Sequence, residues 1–412
     1  MTAADAGRGV APRSGDPADC NETKNVGLRG VSVADTMVSN VDGDAGRLIY
    51  RGYDIRDLAE RSTYEEVAHL LIFDRLPNPS ELERFSVRLA ERRRITSRQV
   101  AVLRDHHPDT PTMAVLQAAV ATLVADDPVP GDGSKAAERE RAVDLVAKMA
   151  ALAAAWHRIR RGLDPVEDAP AGAPPAHAAD FLRLLTDADP DPTLARELDV
   201  ALILHADHSM NASTFTARAV ASTRASIYAA VSAALGALSG ELHGGANARV
   251  MEMLQEIGSL DRVDAYVRET LAGGGRIMGM GHAVYNTDDP RAVILREMSK
   301  RLGERMGDPS WYRLTEEVEK VIRTVFREQK SAEIYPNVDM YSASLYHVMG
   351  LPTDLFTPTF AVSRVAGWSA HVIEERFAEA TQKPQLYRPA SDYVGRYCGP
   401  ESCAYEPPEA RG

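Results

Sequence analysis

Cysteine is scarce in this chain of 412 residues: Cys20, Cys398 and Cys403 all lie near the ends, and no CxxC pair is present. That excludes a disulfide framework and fits a reducing, cytoplasmic compartment. The Cys398–Cys403 spacing has no second pair to make a metal site. Basic charge is also short. The 47 Lys and Arg against 59 Asp and Glu leave a formal net charge of −12. This excludes general affinity for nucleic acid or a membrane surface, so positive charge for an anionic ligand must be local. Long hydrophobic runs are missing: the stretch from Met149 to Trp156 is Ala-rich and too short to cross a bilayer. The first 26 residues have no apolar segment of the secretory kind and read as a disordered tail. Walker A, HExxH and GxSxG patterns are absent. Gly273-Gly274-Gly275 lacks the following spacing of a dinucleotide fingerprint and reads as a helix-to-helix turn. No fixed-period repeat or heptad run occurs.

What is present is helical periodicity. Thr63 with Glu66, and Ser80 with Glu83, are capping-box pairs before helix-length segments. From Arg141 to Arg160, Val143, Val146, Met149, Leu152, Ala153 and Trp156 share one face, and Leu314, Val318, Val321 and Val325 repeat the pattern. Met113 to Ala125 and Ser226 to Leu238 are apolar nearly all round, as expected inside a large helical assembly or at a subunit interface. Residues 47–55, next to Asp42-Gly43, read as a small hairpin. No strand–helix alternation supports a parallel sheet, so the fold class is all-α. Asp126 to Glu138 and Gly162 to Ala179 read as Pro/Gly-marked loops, and the segment after Gly395 as a loose tail.

The histidines stand in polar, glycine-marked settings. His205-Ala-Asp-His208 puts two histidines three apart on one helix face, a metal-pair spacing without a third ligand at fixed distance. Asn211, Ser213 and Thr214 after His208 point instead to a polar wall that orients a bound molecule. His243 precedes Gly244-Gly245, where backbone approaches a ligand closely, and His282 lies in Gly279-Met-Gly-His-Ala-Val-Tyr285. Asp339 lies in Tyr335-Pro-Asn-Val-Asp-Met-Tyr341. Each alone is equally a helix cap or a satisfied buried polar group; together they point to a site. Arg291, Arg364 and Arg388 add cationic forks. Arg364, flanked by Phe360, Val362, Val365 and Trp368, needs an anionic partner, either Glu374 or Glu375 or a ligand carboxylate.

These motifs, in this order, resemble the citrate synthase family, which includes the 2-methylcitrate synthases. The resemblance runs from about Gly27 to Gly395. It rests on Gly27-Leu-Arg-Gly30, Gly46-Arg-Leu-Ile-Tyr-Arg-Gly-Tyr-Asp-Ile55, Ala206-Asp-His208 with Asn211-Ala-Ser-Thr214, and Leu242-His-Gly-Gly-Ala-Asn247. Gly281-His-Ala-Val-Tyr285 with Asp289-Pro-Arg-Ala292, Asn337-Val-Asp-Met-Tyr-Ser342 and Arg388-Pro389 complete it. The resemblance implies a homodimer of two-domain, nearly all-α subunits with the site in the interdomain cleft. The large domain is expected over 27–244 and 351–395, the small domain over 245–350, and tails over 1–26 and 396–412. The implied reaction condenses an acyl-CoA with oxaloacetate and hydrolyses the citryl thioester, a step of the tricarboxylic acid cycle, with no cofactor and no metal.

By the same resemblance, Asp339 takes the thioester α-proton, His243 donates to the enol oxygen and His282 donates to the oxaloacetate carbonyl. His208, Arg291 and Arg364 hold oxaloacetate, and Arg388 reaches the partner subunit's site. The expected CoA contacts are Arg276, Ile277, Met278, Gly279, Gly281, Arg296 and Lys300. The chemistry asks for such groups: a thioester α-proton is a very weak acid, so a base needs an oxyanion donor beside it. The sequence departs from the commoner bacterial pattern at Ser209, Ala248-Arg249, Ala283, Asn286, Met340 and Ala390, which thins the positive charge around the CoA phosphates. The leading expectation is citrate synthase. A 2-methylcitrate synthase differs by one methylene, worth only about 1–3 kcal/mol of discrimination. Another acyl-CoA, an idle homologue, and a metal hydrolase on His205 and His208 are further readings.

Overall fold

The structure, a computed structural model, describes residues 27–28, 30–166, 174–391, 405 and 407–410. The expected N-terminal tail and all three cysteines lie outside these residues. Of the expected C-terminal tail, only 405 and 407–410 lie within them.

An antiparallel sheet of three short strands opens the described fold: β1 (Ser39–Asp42), β2 (Arg47–Tyr50) and β3 (Tyr53–Asp54), in the order β1-β2-β3. Ser39 pairs with Tyr50 and Asp42 with Arg47, and the Asp42 carboxylate accepts from the Ala45 N–H across the turn (2.9 Å). The expected hairpin is thus joined by β1, whose Ser-Asn-Val-Asp has no clear apolar alternation. The sheet stops at Asp54 because that side chain caps α1 (Ile55–Arg61).

Helices make up the rest. The Thr63–Glu66 capping box starts α2 (Tyr64–Phe73), as expected. The second expected box is displaced: α3 (Pro79–Arg92) is capped by Asn78 with Glu81, not by Ser80 with Glu83. Pro79 decides it, since its fixed φ and missing N–H suit the first helical position and leave Asn78 as the cap. Next come α4 (Ser97–Arg104), α5 (Thr112–Thr122), α6 (Lys135–Ile159), α7 (His177–Thr186), α8 (Pro192–His205), α9 (Ala212–Ser222) and α10 (Ile227–Leu238). The six apolar residues expected on one face of α6 are buried, but so are Asp144, Lys148 and nearly every residue from Arg141 to His157. Helix α6 is therefore the centre of the bundle, beside the equally buried α16 (Phe356–Phe377). Between them in sequence, α11 (Ala246–Ile257), α12 (Val263–Ala272), α13 (Pro290–Met306), α14 (Ser310–Lys330) and α15 (Val338–Val348) pack chiefly on one another. In α14 the expected stripe of Leu314, Val318, Val321 and Val325 is buried. Helices α5, α9 and α10 pack together, yet Ala114, Ala118 and Ala121 of α5 and Ala229 of α10 remain exposed. The architecture is all-α, and no described helix is long and apolar enough to cross a membrane.

Candidate active site

A cavity of about 970 Å³ opens between the central bundle and the α11–α15 group. His208, His243 and Arg364 reach it from the first, and His282, Arg291 and Asp339 from the second. Six residues expected at the site thus line one space.

Local sequence explains each placement. Helix α8 ends at His205, so His208 lies beyond it in a turn, and the expected single helix face holding both histidines does not form. His205 is fully buried against Phe360, with Nδ1 2.7 Å from the Ala201 carbonyl. No group of three His, Cys, Asp or Glu side chains is placed to hold a metal among the described residues. The turn carrying His208 rests on α16 at Gly367, where a Cβ would come within 2.3 Å of the Ala206 carbonyl oxygen. Asp207 fixes it from below: its carboxylate accepts from Ser39 Oγ and from the Ser209 N–H (2.8 Å), and His371 Nε2 lies 3.2 Å away.

Gly273-Gly274-Gly275 follows α12 and leads into a loop of residues 273–289, rather than directly into another helix. That loop, carrying His282, is stitched to the start of α15: the Gly281 N–H donates to the Tyr335 carbonyl (2.8 Å), and Asn337 Nδ2 donates to the Gly281 carbonyl (2.9 Å). Asn337 also caps α15, its side chain accepting from the Asp339 N–H (3.0 Å). Asp339 and His282 are therefore placed by one small hydrogen-bonded unit.

The hydrogen bonds set the histidine tautomers. The N–H groups of Val284 (2.9 Å) and Tyr285 (3.0 Å) both donate to His282 Nδ1, so its proton sits on Nε2. The Ser213 N–H donates to His243 Nε2 (3.3 Å), with Ser213 Oγ at 2.9 Å, which leaves the proton on Nδ1. Burial pushes both rings down to about 4, with Arg364 adding to the effect at His243 and Arg291 at His282. Each is a neutral donor at pH 7. His208 is likewise held neutral by burial and by Arg291. It stands 5.3 Å from His282 by ring centroids, with Nε2 3.3 Å from the Tyr285 hydroxyl. Burial raises the Asp339 carboxyl to about 7, against the pull of Arg291. A base that titrates near neutrality beside neutral donors suits proton abstraction from a weak carbon acid.

The two arginines differ. Arg291 gives Nε (3.0 Å) and Nη2 (2.7 Å) to the Asp289 carboxylate. Arg364 gives only Nε, to the His205 carbonyl (2.6 Å), and lies 4.6 Å over the Phe360 ring. Glu374 and Glu375, its expected structural partners, instead bind Arg218, at 2.5 and 2.7 Å. Burial lowers Arg364 to about 10. A buried guanidinium whose outer nitrogens line a cavity is a site for an anion.

The remaining expected positions stand apart. Arg388 is exposed and does not line this chain's cavity; its neighbour Tyr387 is anchored through Glu375 (2.6 Å) and Arg218 (3.3 Å). Of the expected CoA contacts only Gly281 lines the cavity. Arg276 and Lys300 are exposed, Ile277 and Gly279 are buried, and Met278 is half-buried. Arg296 is held by Glu319 (2.6 Å) over the Tyr341 ring. The sequence reading missed Asp289 as Arg291's partner and Asp207 with His371 beneath His208. It also missed the lining by Leu28, Val31 and Val33. The Asp289-Pro-Arg291 spacing, with an aspartate before a helix-starting proline, was the one local signal available.

A nearly all-helical body that brings a carboxyl titrating near neutrality, two neutral histidines and a buried arginine to one cleft has the makings of an acid–base enzyme acting on an anionic substrate. Comparison with known proteins narrows the class. Residues 27–390 match the family model described as "Citrate synthase, C-terminal domain". The chain is 42% identical over 382 residues to the citrate synthase of Synechocystis, covering 91% of this chain and 92% of that one. It is 37% identical to the 2-methylcitrate synthase of Shewanella oneidensis, covering 92% and 96%. It also superposes, with a TM-score of 0.83 and 29% identity over 93% and 98% of the chains, on the Thermoplasma acidophilum citrate synthase solved as a ternary complex with carboxymethyl coenzyme A and oxaloacetate. The chain belongs to the citrate synthase family and is an acyltransferase of that type.

Proposed function

We propose that the cavity condenses acetyl-CoA with oxaloacetate and that the citryl thioester is then hydrolysed to citrate and CoA. The observation that carries this reading is Arg364, a buried cation with two nitrogens free to take a carboxylate beside the Asp339 base. Asp339 removes the α-proton while His243 Nδ1–H donates to the thioester oxygen, so no full negative charge builds there. The enol carbon attacks the ketone carbon of oxaloacetate, and His282 Nε2–H donates to the ketone oxygen as it becomes a hydroxyl. His208, Arg291 and Arg364 hold the carboxylates and carbonyl. Arg364 offers two nitrogens, whereas Arg291 keeps Nη1 for the ligand after binding Asp289. Water then cleaves the thioester.

In this reading residues 245–350 form the smaller domain, supported by the mutual packing of α11–α15, and its approach to the rest dries the cleft. The CoA contacts are assigned to the expected positions from Arg276 to Gly281, with Lys300 near the phosphates. Arg296, held by Glu319, is the weakest member of that set. The active unit is a homodimer. Arg388 supports this, being exposed outside its own cavity on a segment anchored by Tyr387, and so free to enter the partner's site. The protein works in the cytoplasm on small-molecule substrates, with neither nucleic acid nor membrane as partner and with no cofactor.

Propionyl-CoA is the rival substrate, since a 2-methylcitrate synthase is among the relatives. The test is oxaloacetate-dependent thiol release by the purified protein with each thioester. A higher kcat/KM for acetyl-CoA supports the proposal, and a higher value for propionyl-CoA transfers it to 2-methylcitrate formation.

A further inference from the structure

Asn286 is a departure from the commoner bacterial motif with no role in the chemistry above, yet its surroundings give it one. The turn between β1 and β2 lies directly on the His282 loop. The Asn286 N–H donates to the Gly43 carbonyl (3.0 Å), and Asn286 Nδ2 donates to Asp44 Oδ1 (2.7 Å). Contact is tight enough that a Cβ on Gly43 would come within 2.2 Å of the Val284 carbonyl oxygen. Three residues further along the turn, the backbone at Gly46 meets Thr287 and Asp288. The segment so gripped, Val284 to Asp288, includes both N–H groups that donate to His282 Nδ1. It also includes Tyr285, whose hydroxyl meets His208.

We infer that Asn286 and Asp44 are positioning residues: they latch the β1–β2 turn onto the His282 loop and thereby hold the tautomer and aim of the histidine that protonates the ketone oxygen. The turn belongs to the opening sheet, and the loop joins α12 to α13, so the two hydrogen bonds tie the sheet to the α11–α15 group. Asp44 and Asn286 are both exposed, so the side-chain bond contributes little to global stability. Its effect falls on the loop. Losing it frees the Val284 and Tyr285 amides, and His282 then samples orientations in which Nε2–H no longer faces the ligand. The inference rests on the condensation reading, and wild-type turnover in the same assay separates the two.

The test compares Asn286→Ala, Asp44→Ala and Asp44→Asn with wild type, reading kcat, the KM for oxaloacetate, thermal midpoint, and hydrogen–deuterium exchange of peptides spanning 282–288. Asn286→Ala and Asp44→Ala are expected to lower kcat roughly three- to tenfold, the range a single hydrogen bond supports. Exchange at Val284 and Tyr285 should be faster and the melting temperature unchanged. Asp44→Asn keeps an acceptor oxygen and is expected to behave as wild type. Gly43→Ala, which must displace the Val284 carbonyl, is expected to lose more kcat than either alanine variant. The inference is overturned by unchanged kcat and exchange in both alanine variants. It is overturned equally by a fall in kcat that tracks a fall in melting temperature, which would make the contact merely structural. Absence of turnover in wild type overturns the condensation reading and this inference with it.

Discussion

Arg291 and Asp289 are bound to each other through two nitrogens and two carboxylate oxygens, at 3.0 and 2.7 Å, in the first turn of α13. Both are buried, and Asp289 holds Arg291 firmly protonated against the effect of burial. Among the described residues Arg364 has no such carboxylate. The two arginines of one cavity are thus unequal, one largely neutralised and the other awaiting an anion.

That inequality predicts unequal substitutions. Arg364→Gln removes the uncompensated cation and is expected to raise the KM for oxaloacetate roughly 10- to 100-fold, as for the loss of a charged hydrogen bond. Arg291→Gln strands the Asp289 charge as well, so it is expected to lower folding stability in addition to weakening the substrate. Thermal unfolding beside steady-state kinetics distinguishes them; equal melting temperatures for the two variants would contradict the difference.

The pH profile follows from Asp339. In the proposed reaction the active form is the ionised carboxylate, and burial raises its pKa to about 7. kcat/KM is therefore expected to fall about tenfold per pH unit below that value and to level off above it. His243 and His282, held to about 4, must stay neutral to serve as donors in their present tautomers, and they add a second loss only near that pH. Asp289 is among the charges that raise Asp339. Asp289→Asn should consequently move the acid limb of the profile to lower pH. A limb that stays in place would show that the titrating group is not Asp339.

Ser213 has a smaller assigned task. Its N–H and hydroxyl both face His243 Nε2, and its Oγ accepts from Trp368 Nε1 (3.1 Å). Ser213→Ala keeps the N–H that fixes the tautomer, so a reduction in kcat well short of His243→Ala is expected. The latter should cost roughly 100- to 1,000-fold, as for the removal of an oxyanion donor. Parallel kcat measurements check the order.

Much of the cavity's polar lining is legible in the sequence. His208, His243, His282, Asp339, Arg291 and Arg364 were all marked by motif, and all six line one cavity. What stayed hidden depends on distance along the chain. Asp207 meets His371 across 164 residues, and Ser39 meets Asp207 across 168; no local pattern announces such pairs. The strand Ser39–Asp42 shows the same limit, since it is a strand only because Arg47–Tyr50 lies beside it. At α3 the error was two positions wide, because Ser80–Glu83 and Asn78–Glu81 both satisfy the capping spacing and only Pro79 separates them. His205 and His208 looked like one helix face because nothing in His-Ala-Asp-His says where α8 ends; the fully buried Asp207 beneath the turn settles it.

The measurement that bears most directly on the account is CoA release from acetyl-CoA by wild type and by Asp339→Ala, each with and without oxaloacetate, alongside oxaloacetate binding by calorimetry. The account predicts release by wild type only when oxaloacetate is present. For the variant it predicts a loss of roughly 100- to 10,000-fold in kcat with oxaloacetate affinity nearly intact. Release that ignores oxaloacetate, or that survives in Asp339→Ala, would contradict it.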